Sequence, residues 1–296
     1  DLRISIIPTV NGEKVVIRVL DPKGLCVDMS KLGFEAEVLR LYTRIITSPH
    51  GIILITGPTG SGKSTTLYST LRTINATDKN IITMEDPVEY MMRGINQVQA
   101  RPDIGLDFTT GLRSFMRQDP DIILVGEIRD RETAEVAINA ALTGHLVFAT
   151  LHTNDAAGAV TRLVNMGIEP FLITSTIILS VAQRLMRKVC SVCAQEYEPS
   201  EVLLKELGVI RKPDEKIVFK RGQGCGHCTR TGYRGRLGVF EVMQITDNIR
   251  DMILAREASY IIKEEAASKG MITLEEAALR KVLEGHTTSE ELIRVA

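Results

Sequence analysis

One run of residues constrains the fold before any other: Gly57, Pro58, Thr59, Gly60, Ser61, Gly62, Lys63, Ser64 and Thr65. Its first eight positions fit Gly-x-x-x-x-Gly-Lys-Ser/Thr without a gap. The run follows a short apolar stretch, 52–55, and opens a segment of helical periodicity. A chain with that order takes a strand into a glycine-rich turn and leaves it at a helix N-terminus. The turn curls the backbone so that its N–H groups point inward, and the helix end adds partial positive charge. Together they form a cradle for phosphate. Lys63 can reach the outer phosphates and the Ser64 hydroxyl can hold Mg2+, so the pattern predicts a bound nucleoside triphosphate with its metal. A plain glycine-rich turn is the competing reading, and the complete pattern in the right context disfavours it.

Strands and helices alternate around this turn. Apolar strands are predicted at 52–56, 81–84, 122–125 and 146–150, with helical stretches near 64–75, 109–117, 131–142 and 155–166. That alternation predicts an α/β fold, a parallel sheet covered on both faces. Ahead of it, residues 3–20 alternate polar and apolar about Asn11-Gly12, the pattern of a hairpin. Two strands alone are rarely stable, so they read as the end of a domain whose beginning lies upstream. The expected organisation is 1–20 as that domain's last strands, 21–30 as linker and 31–187 as ATPase core. A cysteine-bearing module at 188–240 and a helical region at 241–296 follow.

A site that hydrolyses ATP needs carboxylates opposite the cradle, and the strands supply them. The run Asp121–Val125 leads through Gly126 to Glu127, while a second strand ends in Glu85, Asp86 and, three residues on, Glu89. Strand C-termini of such sheets are where ligands bind. The aspartate that usually precedes the Glu of such a strand is Gly126 here, which weakens the case for direct metal ligation from it. His145 and His152 bracket another strand, seven residues apart and so on opposite faces, which argues against a shared metal. Each taken alone reads as a hydrogen-bonded structural histidine. His50 and His286 receive no role.

Four of the five cysteines form two C-x-x-C pairs, Cys190/Cys193 and Cys225/Cys228. Two such turns facing each other supply four thiolates, a closed tetrahedral shell for structural Zn2+. His227 sits inside the second pair and could compete as a ligand. Redox thiols are the rival reading, and the absence of a thioredoxin-like context argues against them. Cys26 reads as a small buried hydrophobe.

With 44% apolar and 25% charged residues the chain is ordinary for a globular protein. A net charge of −1 and 4% aromatics give no case for wrapping nucleic acid or stacking on bases. No apolar run reaches the roughly 18–20 residues of a membrane helix. The chain begins at Asp1, so a preceding region is expected, and a cytoplasmic location is the reading.

Four stretches in order, GPTGSGKS (57–64), ITMEDPVEY (82–90), LRSFMRQDPDIILVGEIRD (112–130) and TGHLVFATLHTND (143–155), resemble the Walker A, Asp, Walker B and His boxes of one family. That family is the secretion ATPases of type II secretion and type IV pili, and the resemblance runs from Arg3 to about Glu241. It implies a RecA-like ATPase core working as a homohexameric ring. The ring would act on an inner-membrane platform protein, peripheral to that membrane through its partners and without nucleic acid. Carried over, it makes Glu85 the water-activating base and has Glu127 acting through the water shell of Mg2+. Which of the two has which role stays open. His152 would sense the γ-phosphate, with His145 supporting that box. Arg3 and Arg18, otherwise two strand arginines, would be charge-neutralising fingers, with the linker 21–24 as hinge. The tetracysteine element implies an assembly rather than a retraction ATPase. The alternatives are that retraction type and a RecA-like nucleic-acid translocase.

Overall fold

The computed structural model describes residues 2–19, 27–211 and 216–295. Strands β1 (Leu2–Thr9) and β2 (Gly12–Val19) form the expected antiparallel hairpin, with Arg3 opposite Arg18 in the register. The side chains of both arginines, the linker 21–24 and Cys26 lie outside the described residues. The first helix of the core, α1 (Ala36–Ile45), is amphipathic and buries Tyr42 and Ile45.

From there strand and helix alternate as the sequence predicts, except for an additional, unpredicted strand at 96–99 that follows its predecessor without a helix. The elements are β3 (Gly51–Thr56), α2 (Lys63–Ile74), β4 (Ile81–Glu85), β5 (Asn96–Gln99), α3 (Phe108–Phe115) and β6 (Ile122–Val125). Then come α4 (Arg131–Leu142), β7 (Leu146–Leu151), α5 (Ala156–Asn165) and α6 (Pro170–Thr176). The long strand β8 (Ile177–Val189) follows, then β9 (Ala194–Tyr197), α7 (Glu201–Glu206), β10 (Phe219–Gly222) and β11 (Tyr233–Gln244). Helices α8 (Asp247–Leu254), α9 (Ser259–Ser268), α10 (Leu274–Leu283) and α11 (Ser289–Val295) complete the chain.

Seven strands form one sheet in the order β11-β8-β3-β7-β6-β4-β5. Six run parallel, and β11 closes one edge antiparallel to β8. The sheet is therefore mixed rather than purely parallel. The segment 188–240 also does not end where the sequence suggests, because β11 crosses residue 240 and belongs to the core sheet. Neither β8 nor β11 is announced locally: β8 interrupts its apolar residues with Gln183, Arg184, Arg187 and Lys188.

Strand β3 shows why the sheet is buried on both sides. Ile52 and Leu54 face one core with residues of α4, α5 and the C-terminal helices, whereas Ile53 and Ile55 face a second with Tyr42, Tyr68 and Phe240. Alternation with period two serves both faces, so an apolar residue is wanted at every position. The C-terminal helices are fastened to the sheet by buried carboxylates. Glu241 on β11 accepts from the backbone N–H of Ala156 at 2.8 Å and of Leu274 at 3.2 Å, joining the starts of α5 and α10.

Candidate nucleotide site and cysteine centre

Three helices that follow the sheet's strands begin with an aspartate whose side chain accepts a backbone N–H: Asp107 for α3, Asp130 for α4 and Asp155 for α5. Helix α2 begins differently. Its cap is Gly62, at φ +91°, with no side chain to accept from the first turn. Those N–H donors stay available to an anion, and the helix dipole favours one there. Glycine is required by space as well as by φ: a Cβ at Gly62 would lie 2.9 Å from the Gln183 amide nitrogen. At Gly57 a Cβ would lie 2.5 Å from the Gln183 carbonyl oxygen. The turn is thus pressed onto β8, held further by a 2.8 Å bond from Thr66 Oγ1 to Gln183 Oε1.

The cradle fits a triphosphate on three observations. Pro58, Thr59, Gly60 and Ser64 are exposed, with Gly62 and Thr65 partly so. Lys63 Nζ folds back onto the carbonyls of Gly57 at 2.7 Å and Pro58 at 3.2 Å. Ser61 Oγ is buried without a hydrogen-bond partner among the described residues. Burial lowers the Lys63 pKa first and nearby Arg184 adds to it, while Glu127 works against them. Lys63 therefore lies within electrostatic reach of the Glu127 carboxylate.

That carboxylate is bound on both oxygens. His152 Nε2 lies 3.0 Å from Glu127 Oε1, and Arg129 Nε donates to Oε2 at 2.8 Å. Glu85, at the end of the neighbouring β4, is buried. Its Oε1 accepts from Thr83 Oγ1 at 2.6 Å and Gln97 Nε2 at 3.2 Å, and its Oε2 from the Tyr68 hydroxyl. Gly126 explains how the two strand ends come together. A Cβ there would lie 2.9 Å from the Met84 carbonyl oxygen, so an aspartate has no room at this position. Asp86 is exposed and Glu89 half-buried, and Glu89 meets the site through its backbone N–H, 3.1 Å from the Tyr68 hydroxyl. The loop carrying His152 is tied to the cradle strand, since Thr153 N donates to Thr56 Oγ1 at 2.8 Å.

Of the sequence-predicted residues, Lys63, Ser64, Glu85, Glu127 and His152 thus gather at one edge of the sheet. His145 does not join them. It precedes β7 at the opposite end, six residues or about 20 Å from the site edge. There its Nδ1 lies 2.8 Å from the Ala140 carbonyl oxygen at the end of α4, a structural bond rather than support for the His152 loop. Sequence reasoning passed over Tyr68, Gln183 and Arg184. Tyr68 could have been singled out only as a hydroxyl on the buried face of α2.

The four cysteine sulfurs lie within 4.8 Å of one another. Cys190–Cys225, Cys193–Cys228 and Cys225–Cys228 are 3.9, 3.8 and 3.7 Å apart. Tetrahedral ligation at about 2.3 Å calls for sulfurs about 3.8 Å apart, so the donor set fits Zn2+. The backbone N–H of Cys225 pulls the Cys228 thiol down to about 6, with Gly232 assisting against burial, while burial pushes Cys193 up to about 11. His227 adds no ligand to this group, whose members are the four cysteines.

The description "Type II/IV secretion system protein" fits residues 1–294. The chain belongs to the type II/IV secretion system protein family. Within that family it is 51% identical over 296 residues to the type IV pilus assembly ATPase PilB of Myxococcus xanthus, covering 99% of this chain and 52% of that protein. It is 46% identical to the type II secretion system protein E of Pseudomonas aeruginosa, covering 100% and 58%. The chain therefore spans little more than half the length of these relatives. Among solved structures, the pilus retraction motor PilT with bound ADP superposes with a TM-score of 0.71 at 28% identity, covering 100% of this chain and 74% of that one. The fold of this chain is thus shared with that motor.

Proposed function

We propose that this chain is the motor core of an ATPase that assembles a pilus or pseudopilus, hydrolysing ATP within a homohexameric ring. The observation that carries the reading is the uncapped turn at Gly57–Ser64 with Lys63 within electrostatic reach of Glu127 in the Glu127–His152 pair. A cation, free N–H donors and two carboxylates at adjacent strand ends are the parts that phosphoryl transfer from ATP needs. Lys63 would leave its two carbonyls for the outer phosphates. Glu85 would orient and deprotonate water, and His152, on Glu127, would sense the γ-phosphate. Ser64 would hold Mg2+, with Glu127 acting through the water shell of that ion, which when bound offsets phosphate charge. Arg3 and Arg18 are proposed as charge-neutralising fingers, and the residues 1–20 as the end of a domain hinged at 21–24.

The direction of work, assembly, is supported by the four-cysteine group and by 51% identity to an assembly ATPase against 28% to a retraction motor. Structural Zn2+ at Cys190, Cys193, Cys225 and Cys228, a platform protein at the inner membrane and a cytoplasmic setting complete the proposal. No helix among the described residues is long and apolar enough to cross a membrane.

The test is Lys63→Ala in a phosphate-release assay. Turnover should fall by roughly 100-fold or more, the scale on which one preorganised charge acts in the transition state. Wild-type turnover in that variant would remove the central claim.

A further inference from the structure

We propose that Tyr68 is the positioning residue for Glu85, fixing its carboxylate and tying it to the helix that the phosphate-binding turn opens. The proposal rests on the reading of Glu85 as the water-activating group.

Three donors hold Glu85, and they are not equivalent. Thr83 belongs to β4 itself and Gln97 to its neighbour β5, and both bind Oε1. The donor on Oε2 is the Tyr68 phenol, from α2. Its hydroxyl also accepts the backbone N–H of Glu89 at 3.1 Å. A phenol has one proton to give, so an accepted N–H fixes the oxygen and directs that proton to Glu85. Burial, then the Glu85 carboxylate, raises the Tyr68 pKa, so the phenol stays a donor at any working pH. The ring is 1% exposed and packed with Leu67 and Leu71 in the α1-side core, which leaves it no freedom to swing away.

The geometry has a mechanical consequence. Tyr68 lies five positions beyond Lys63 on the same helix. The Tyr68 hydroxyl therefore belongs to the helix whose N-terminus would engage phosphate. Oε1 is anchored to the sheet and Oε2 to the helix, so the aim of the carboxylate is set by where α2 sits against β4. Misplacement of a reacting group by about 1 Å is enough to cost up to 100-fold in rate. Phosphate engagement and aim of the base thus share one hydrogen bond.

The experiment compares wild type, Tyr68→Phe, Glu85→Gln and the double variant for ATP turnover, fluorescent-nucleotide affinity and thermal melting. Tyr68→Phe keeps the ring and deletes the hydroxyl. Its kcat should fall about 10-fold with nucleotide Kd within about 2-fold of wild type. Glu85→Gln should fall about 100-fold, and the double variant should be no slower than Glu85→Gln alone. Wild-type turnover in Tyr68→Phe beside a slow Glu85→Gln overturns the proposal and leaves the Glu85 reading standing. Wild-type turnover in Glu85→Gln removes that reading and the proposal with it. A double variant slower still, or nucleotide affinity lost in step with turnover, would mean that Tyr68 acts elsewhere. If Tyr68→Phe does not fold, 3-fluorotyrosine at position 68 keeps the packing and strengthens the donor. Turnover unchanged by it overturns the proposal.

Discussion

Strand β8 runs between two sites built on opposite principles. Beside Gln183 it supports the phosphate-binding turn, and beyond Val189 it delivers Cys190 to the four-cysteine group. The turn is left incomplete: a helix start without a side-chain cap, a lysine parked on its own loop's carbonyls and a buried serine hydroxyl without a partner among the described residues. The cysteine group is closed, each sulfur having another within 4 Å and Cys228 taking two backbone N–H groups at 3.2 Å. Buried polar groups are ordinarily satisfied, and the unpartnered Ser61 hydroxyl lies in the turn that would receive the phosphates. A site that must release its ligand keeps open donors, whereas a site that only holds the fold together spends all of its own.

Metal removal puts the largest expected effect on that contrast. A strong zinc chelator should melt the region from 190 to 232, because structural zinc contributes on the order of 10 kcal/mol to the segments it joins. Nucleotide affinity should stay within about threefold, since the cradle draws on β3, α2 and β8 rather than on the cysteines. Hydrogen exchange read by segment, with nucleotide titration in parallel, checks both halves. Equal loss of protection at the cradle would show that β8 transmits the damage and that the two sites are one unit.

How far each site was legible follows from how local its signals are. The cradle and the four cysteines are spelled out over a few residues, and strands β3, β4, β6 and β7 are short apolar runs buried on both faces. Each could be read directly. Strand β8 could not, because Gln183, Arg184 and Arg187 are explained only by distant partners. Thr66, Asn154 and Glu291 lie 117, 30 and 104 residues away. The pairing of β11 with β8 hides likewise, and with it the true extent of the core sheet. Gly126 read as a missing ligand in sequence and proves to be a requirement of close strand approach. His145 and His152 look alike in sequence, and only the ends of β7 separate a helix-end bond from a site residue.

A second test probes the cysteine side through Glu291. Its side chain has no solvent access and takes the Arg187 backbone N–H at 2.7 Å together with the guanidinium groups of Arg187 and Arg294. Burial alone would raise its pKa; the bonds from Arg294 and then Arg187 outweigh it and bring it from 4.5 down to about 2. The unfolded carboxyl therefore binds its proton first as pH falls. The stabilisation is fully present above pH 4.5 and is lost as pH drops through about 2, up to about 3 kcal/mol in all. Glu291→Gln should lower stability by about that amount at pH 7, and the gap to wild type should close in acid. Chemical denaturation at several pH values measures it, and a gap independent of pH would contradict the assignment.

The smallest effect belongs to the open side. Arg129 and Glu127 form a 2.8 Å ion pair, as short as that of Arg187 with Glu291, and both arginines are exposed, yet Glu127 keeps 20% of its side chain accessible where Glu291 keeps none. Water screens such a pair and the long side chain loses rotamer freedom in making it, so exposed pairs contribute about 0–1 kcal/mol. Arg129→Ala should therefore leave the unfolding free energy within about 1 kcal/mol of wild type, although it removes a charge from Glu127. Equal length and unequal worth is the expected result for pairs on the two sides. A loss near 3 kcal/mol in Arg129→Ala would mean that the nucleotide edge is as closed as the cysteine centre. The contrast between an exchanging and a holding site would then rest on the ligands alone.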